Sequence, residues 1–370
     1  MPSLRSLPES AVLRRLCAAA SVLALLALTP SGALAATAMP SKETCIYSAH
    51  KISILNRFDT MVGRQIDCAT VYSNTTTDWA QWERPWFIDY YDAPNLDWSQ
   101  WATAPGTQRQ LAITLSLIPS NVEHQDWLRQ GAAGDYEQHA RTLAQNLVAA
   151  GLGNSIIRLA PEMNGTWNLD SLGTNRAQWA LWDRFWRRTV EAMRSVPGAQ
   201  FEFDWCVVAL WRVLPLSEIY PGNDVVDMMG IDVYDTGNLG STAAARWNDV
   251  YNGPEGIATV LRFARAHGKP ISIPEWGIAP VSEHGFGDDP TFVNGIARVV
   301  KNNPVVYQSY FYKYGEATQL AHGRASLAAY RSHFGAHGNS VDVGTDSWFG
   351  YGAGVDSVAP ARRARHARRR

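Results

Sequence analysis

A chain of 370 residues, 46% of them hydrophobic, can bury a core of barrel size. Its formal net charge of −1 balances unlike parts: three arginines against one glutamate over residues 1–36, six arginines in residues 361–370, and an acidic body between. Nucleic acid is therefore excluded as the main partner, because phosphate binding needs a basic folded surface rather than a basic end.

In chain order, residues 1–35 read as a secretory signal peptide. Arg14 and Arg15 precede an apolar run from Cys17 to Leu28, and Ala33-Leu34-Ala35 offers small residues for cleavage. The apolar run is shorter than the roughly 20 residues that span a bilayer, so no stable membrane insertion is expected and the protein is expected to be secreted. The arginine pair leaves general and twin-arginine export both open. An oxidising compartment predicts a Cys45–Cys68 disulfide, with Cys206 in the apolar "WCVVAL" left as an inert core thiol.

Residues 36–335 alternate β-rich runs with helical patterns. The strand candidates are 45–49, 66–73, 111–118, 155–162, 201–208, 225–234, 270–276 and 305–312. Helical periods run from Tyr136 to Ala150 and from Arg176 to Val196; in the second, Trp179, Trp182, Trp186, Val190 and Met193 share a face that reads as core. Eight strands interleaved with helices predict a single α/β domain, a (β/α)8 TIM barrel, with a doubly wound open sheet as the alternative. The connection 74–110 holds five tryptophans and reads as an elaborated loop with short helices. Residues 336–370 read as a strap followed by a solvated basic tail, for which an anionic polymer is the alternative ligand.

The chemistry is expected where apolar strands run into polar clusters. In "IIRLAPEMNGTW" (156–167), alternation puts Arg158, Ala160 and Glu162 on one side, with Glu162 at the rim. In "ISIPEWG" (271–277), Glu275 likewise ends an apolar run. A lone glutamate at a strand end reads as solvated or salt-bridged. Two glutamates topping strands four and seven would face each other across a barrel mouth, as a retaining glycosidase requires: one protonates the leaving oxygen, the other attacks the anomeric carbon. The first must hold a proton and the second must stay ionised. Arg158, one inward step lower, would favour the charged form of Glu275. Asn164 would position the acid or a substrate hydroxyl, and Tyr234, ending "GIDVY", would donate its phenolic hydrogen to the nucleophile.

"EMNGTW" together with "PEWG" resembles glycoside hydrolase family 26, β-mannanase-like members of clan A, over about residues 44–330. The resemblance implies that Glu162 is the acid/base, Glu275 the nucleophile, Tyr234 its hydrogen-bonding partner and Trp167 a sugar-contacting aromatic. Trp276, beside the nucleophile, joins the supporting set. It implies an endo-acting hydrolase of a polysaccharide or oligosaccharide, working as a monomer with no cofactor and no metal. Two departures bear on the sugar. Pro161 stands where the family commonly has His, which turns attention from mannan toward other β-glycans and bacterial exopolysaccharides. Strand eight reads "YFYKYG" where such enzymes often present a tryptophan, so either Tyr310, Tyr312 or Lys313 takes that place or the platform is absent.

Two other readings are weaker. A catalytically inactive sugar-binding barrel with the tryptophan-rich loop as platform has no need of two opposed carboxylates. A metal-dependent hydrolase would show HExxH or paired histidines, whereas His267, His284, His322, His333 and His337 are scattered.

Overall fold

Eight parallel strands close on themselves in the order of the chain: β1 (Glu43–Tyr47), β2 (Cys68–Tyr72), β3 (Gln110–Leu115), β4 (Ile156–Leu159), β5 (Glu202–Val208), β6 (Met228–Asp235), β7 (Ile271–Ile278) and β8 (Val305–Phe311). β8 pairs back onto β1, with Glu43 opposite Tyr307 and Tyr47 opposite Phe311, so the sheet is a closed (β/α)8 barrel and not an open doubly wound one. The helices are α1 (Ile52–Val62), α2 (Trp79–Glu83), α3 (Trp98–Ala102), α4 (Trp127–Ala133), α5 (Glu137–Ala149), α6 (Trp179–Arg194), α7 (Ala243–Asn252), α8 (Ile257–Ala266), α9 (Pro290–Asn302) and α10 (Arg324–Phe334). The computed structural model describes residues 43–335 apart from 74–75, 89–96, 123–125, 213 and 313–319. The expected signal peptide (1–35), the strap and tail (336–370) and Lys313 lie outside the described residues.

Both faces of each strand are buried, which is why the strands read as nearly continuous apolar runs. Helices cover the outer face through apolar stripes. On α6, Trp179, Trp182 and Trp186 are buried as core, and the last two still satisfy their indole N–H groups, on the carbonyls of Asp170 (2.7 Å) and Leu159 (3.0 Å). α9 starts where Asp289 accepts from the N–H groups of Thr291 and Phe292, with Pro290 at a first-turn position that needs no donor. Connection 74–110 contains short α2 and α3, and Trp82, Trp98 and Trp101 within it are buried. That removes most of the indole surface a sugar-binding loop would need.

Inside the barrel the layers differ in chemistry. Low in it, Cys45, Cys68, Ala112, Ile156, Met228, Val306 and Tyr307 form an apolar cluster, and a disulfide joins Cys45 to Cys68, which are paired directly across β1 and β2. Cys206 is a free, buried thiol. Barrel interiors are usually filled by bulky branched side chains; here the next layers are polar. Thr70 and Ser309 share a hydrogen bond at 2.9 Å, while Ser272 and Tyr307 donate to Asp204 Oδ2 at 2.7 and 2.8 Å. A Cβ on Gly230 of β6 would come within 2.5 Å of Asp204 Oδ1. This hydrogen-bonded layer is the floor of the site.

Candidate active site

Arg158 rises from β4 into the barrel and is fully buried. Its Nη2 donates to Asp232 Oδ2 at 2.7 Å, and its Nη1 donates to Glu275 Oε1 and Thr114 Oγ1, both at 3.0 Å. Burial opposes a charged guanidinium, but the attraction of Asp232 and Glu275 outweighs it and holds the Arg158 pKa above its ordinary value.

Glu275 points inward from β7. Tyr72, at the end of β2, donates to its Oε1 at 2.5 Å, and Tyr234, near the end of β6, donates to its Oε2 at 2.9 Å. Both oxygens therefore accept hydrogen bonds, and the three partners are two phenols and a guanidinium. Burial, then the charge of Glu275, pushes both phenols well above their ordinary pKa, so they remain donors.

Glu162 arrives differently from the way alternation implies. β4 stops at Leu159, and the chain enters a turn in which Ala160 (φ 48°) and Glu162 (φ 53°) both occupy the left-handed region, uncommon for residues with a Cβ. Backbone bonds hold the turn: Ala160 N–H to Leu115 O at 2.7 Å, Glu162 N–H to Cys206 O at 2.9 Å, and Gly165 N–H to Glu162 O at 2.7 Å. The Glu162 carboxylate accepts from the Trp167 indole N–H at 2.6 Å. Its pKa is raised to about 7, by burial first and by Glu275 second, with Trp167 and Arg158 pulling the other way.

One oxygen each from Glu162, Asp232 and Glu275 lie within 4.8 Å of one another. Arg158 supplies one positive charge to this group, so three ionised carboxylates would leave a net negative pocket. A retained proton relieves that repulsion: burial pushes Asp232 well above its ordinary pKa despite the pull of Arg158, and Glu162, raised likewise, is the member of the three not bonded to Arg158.

The other expected residues divide. Trp167 stands exposed at the mouth. Asn164 is buried, its amide taken up by both backbone groups of Val208 at 2.8 and 2.9 Å, so it fastens the Glu162 turn to the end of β5 instead of meeting substrate. Trp276 is fully buried on the outside of the barrel, donating to Gln308 Oε1 at 2.5 Å and stacking on Tyr330 of α10. Tyr312 is buried beside Phe58 of α1, and Tyr310 beside Trp276, so neither is a platform. The reason is the two-residue period of a strand: with Glu275 inward, Trp276 must face out, and on β8 Phe311 is the inward residue between two outward tyrosines. Phe311 stacks on Tyr47 at 4.3 Å and stands edge-on to Tyr234 at 6.0 Å.

Sequence reasoning missed Tyr72, Asp232, Phe311 and Trp211. The first three carried a signal: Tyr72 follows Cys68 and Thr70 at steps of two, Asp232 lies two before Tyr234, and Phe311 lies two after Ser309. Trp211 sits on a loop, where no periodicity applies.

Comparison with known proteins bears on the family and the fold. Residues 41–276 match the family model described as Glycosyl hydrolase family 26, more than half of the chain and a span containing both Glu162 and Glu275. Among solved structures, GH26C from Muricauda sp. is 14% identical, with 80% of this chain and 85% of that one covered and a TM-score of 0.55. A Cellulomonas fimi endo-beta-1,4-mannanase double mutant is 17% identical, with 79% and 70% covered and a TM-score of 0.54. A beta-mannanase from a symbiotic protist of the termite Reticulitermes speratus is 11% identical, with 80% and 87% covered and a TM-score of 0.50. At such identities the structural likeness establishes the barrel alone, whereas the family match is to sequence. A closed eight-stranded barrel, two glutamates meeting at its mouth and that match agree, and the chain belongs to glycosyl hydrolase family 26.

Proposed function

We propose that the protein is a secreted, retaining β-glycoside hydrolase that cuts within a β-mannan-like chain, another β-glycan or a bacterial exopolysaccharide, acting as a monomer. The observation that carries this reading is a pair of carboxylates, one oxygen of each within 4.8 Å of the other, in unlike surroundings: Glu275 between two phenols and a guanidinium, Glu162 with an indole and a pKa raised to about 7. Separations near 5 Å leave no room for water between nucleophile and sugar, whereas inverting enzymes hold their carboxylates roughly 6.5–9.5 Å apart. Glu275 attacks the anomeric carbon while Glu162 gives its proton to the leaving oxygen. Glu162, now ionised, then takes a proton from the water that releases the glycosyl-enzyme. The expectation of export rests on residues 1–35, and the names of the mannanases of similar fold make β-1,4-mannan the first substrate to try.

The test begins with a panel of β-mannans, β-glucans, β-xylans and bacterial exopolysaccharides, with product sizing: a ladder of products indicates endo action, one small product exo. Glu162→Gln and Glu275→Gln should each lower turnover by about three orders of magnitude or more, with melting temperature nearly unchanged. Proton NMR of the first product, read before mutarotation, should show the β anomer from a β-linked substrate. A first-formed α anomer would mean inversion and would sink the assignment of Glu275 as nucleophile.

A further inference from the structure

Among the described tryptophans, Trp167 and Trp211 are the exposed ones, at 48% and 56%, and they meet edge to face with ring centres 5.0 Å apart. Their place relative to the carboxylates gives them a side. Trp167 donates to Glu162, and the acid that protonates a leaving oxygen must lie beside the leaving sugar. Glu275, Tyr72, Tyr234 and Phe311 lie together around the position of the sugar that is attacked. Trp211 thus belongs to the leaving side.

The loop that presents Trp211 is braced at both ends. Val208 is clamped through both backbone groups by Asn164, and Ala209 N–H donates to Asp232 O at 2.9 Å. The chain then turns at Leu210, in the left-handed region at φ 59°, and beyond Trp211 the N–H of Leu214 donates to the buried carboxylate of Glu255. Glu255 itself is held at φ 53° in the turn between α7 and α8. Two strained residues and a buried carboxylate on a short loop hold an indole that is more than half exposed, with Trp167 against its edge, as a pre-organised apolar surface. The apolar C–H face of a pyranose is a surface that an indole covers well.

We infer that Trp211 is a specificity-determining platform for the sugar unit on the leaving side of the cut bond, so that the enzyme favours bonds whose leaving part is itself a pyranose. This rests on the retaining-hydrolase reading above. Wild type and Trp211→Ala are compared on two substrates sharing one glycone: the polysaccharide from the panel that wild type cuts best, and the matching β-glycosyl fluoride, whose single-atom leaving group cannot reach Trp211. For Trp211→Ala, kcat/KM on the polysaccharide should fall about tenfold with its limb near pH 7 unmoved, since Trp167 still holds Glu162, and on the fluoride stay within about twofold; a moved limb would assign the loss to the acid and overturn the platform. Trp211→Phe, which keeps a flat ring, should recover most of the loss. An equal loss on both substrates, or none on either, overturns the platform while leaving the hydrolase reading intact. A wild-type protein inactive across the panel overturns the hydrolase reading, and the platform with it.

Discussion

Glu162 and Glu275 are the same residue type within 4.8 Å of each other, and only their neighbours separate them. Burial and the charge of Glu275 raise the Glu162 pKa to about 7, while the Trp167 indole opposes that rise because its N–H favours the ionised form. In the proposed mechanism the protonated form is the working acid. On the alkaline side, activity should therefore fall as pH rises through about 7, where Glu162 loses the proton it must donate. Trp167→Phe removes the opposing donor and should move this limb to higher pH, readable from kcat/KM profiles; an unmoved or lowered limb would contradict the role given to the indole. Tyr72 and Tyr234 donate to different oxygens of Glu275. Hydrogen bonds to charged groups are worth about 1.5–3 kcal/mol, so Tyr72→Phe and Tyr234→Phe should each slow turnover by about 10- to 100-fold. Equal effects of the two, measured on one substrate, would make Tyr72 as strong a support of the nucleophile as Tyr234.

β6 shows how an element is shaped by its neighbour. Gly230 has no side chain because Asp204 Oδ1 and the Cys206 Sγ lie 2.5 and 3.0 Å from where a Cβ would stand. Gly230→Ala should therefore overpack the polar layer and cost about 1–3 kcal/mol, seen as a melting temperature several degrees lower. An unchanged melting temperature would mean that Asp204, held by Ser272 and Tyr307, shifts freely. β4 and β7 differ instructively. β7 itself carries Glu275 inward, whereas β4 ends before Glu162 and a turn completes the placement.

The barrel closes through β1 and β8, and the Cys45–Cys68 disulfide ties β1 to β2 across 23 residues of sequence. Chain-entropy reasoning for a loop of this length gives about 3 kcal/mol, so reduction, or Cys45→Ser with Cys68→Ser, should lower the denaturation midpoint by a corresponding amount. Thiol counting on denatured, unreduced protein lacking residues 1–35 should find one reactive cysteine, Cys206. Three would show that the bridge does not form in solution.

Much of this is legible in the sequence. Eight apolar runs spaced by helical periods predict a barrel because each strand is buried on both faces, and hydrophobicity records that burial directly. The two glutamates stood out because a charge ending an apolar run must be either solvated or used, and Arg158 stood out as a charge within such a run. Strand ends and side-chain facing were less legible. Adjacency to Glu275 points to Trp276, and the strand-eight position of the family's tryptophan points to Tyr312, whereas both side chains turn outward into the helical layer. What only the tertiary structure decided is what converges from distant strands: Tyr72 and Tyr234 on the two oxygens of Glu275, Asp232 on Arg158, Asn164 on the backbone of Val208, and Trp211 against Trp167. Local sequence carries periodicity and burial. Barrel closure brings together residues far apart in the chain, and a one-dimensional pattern does not record those distances.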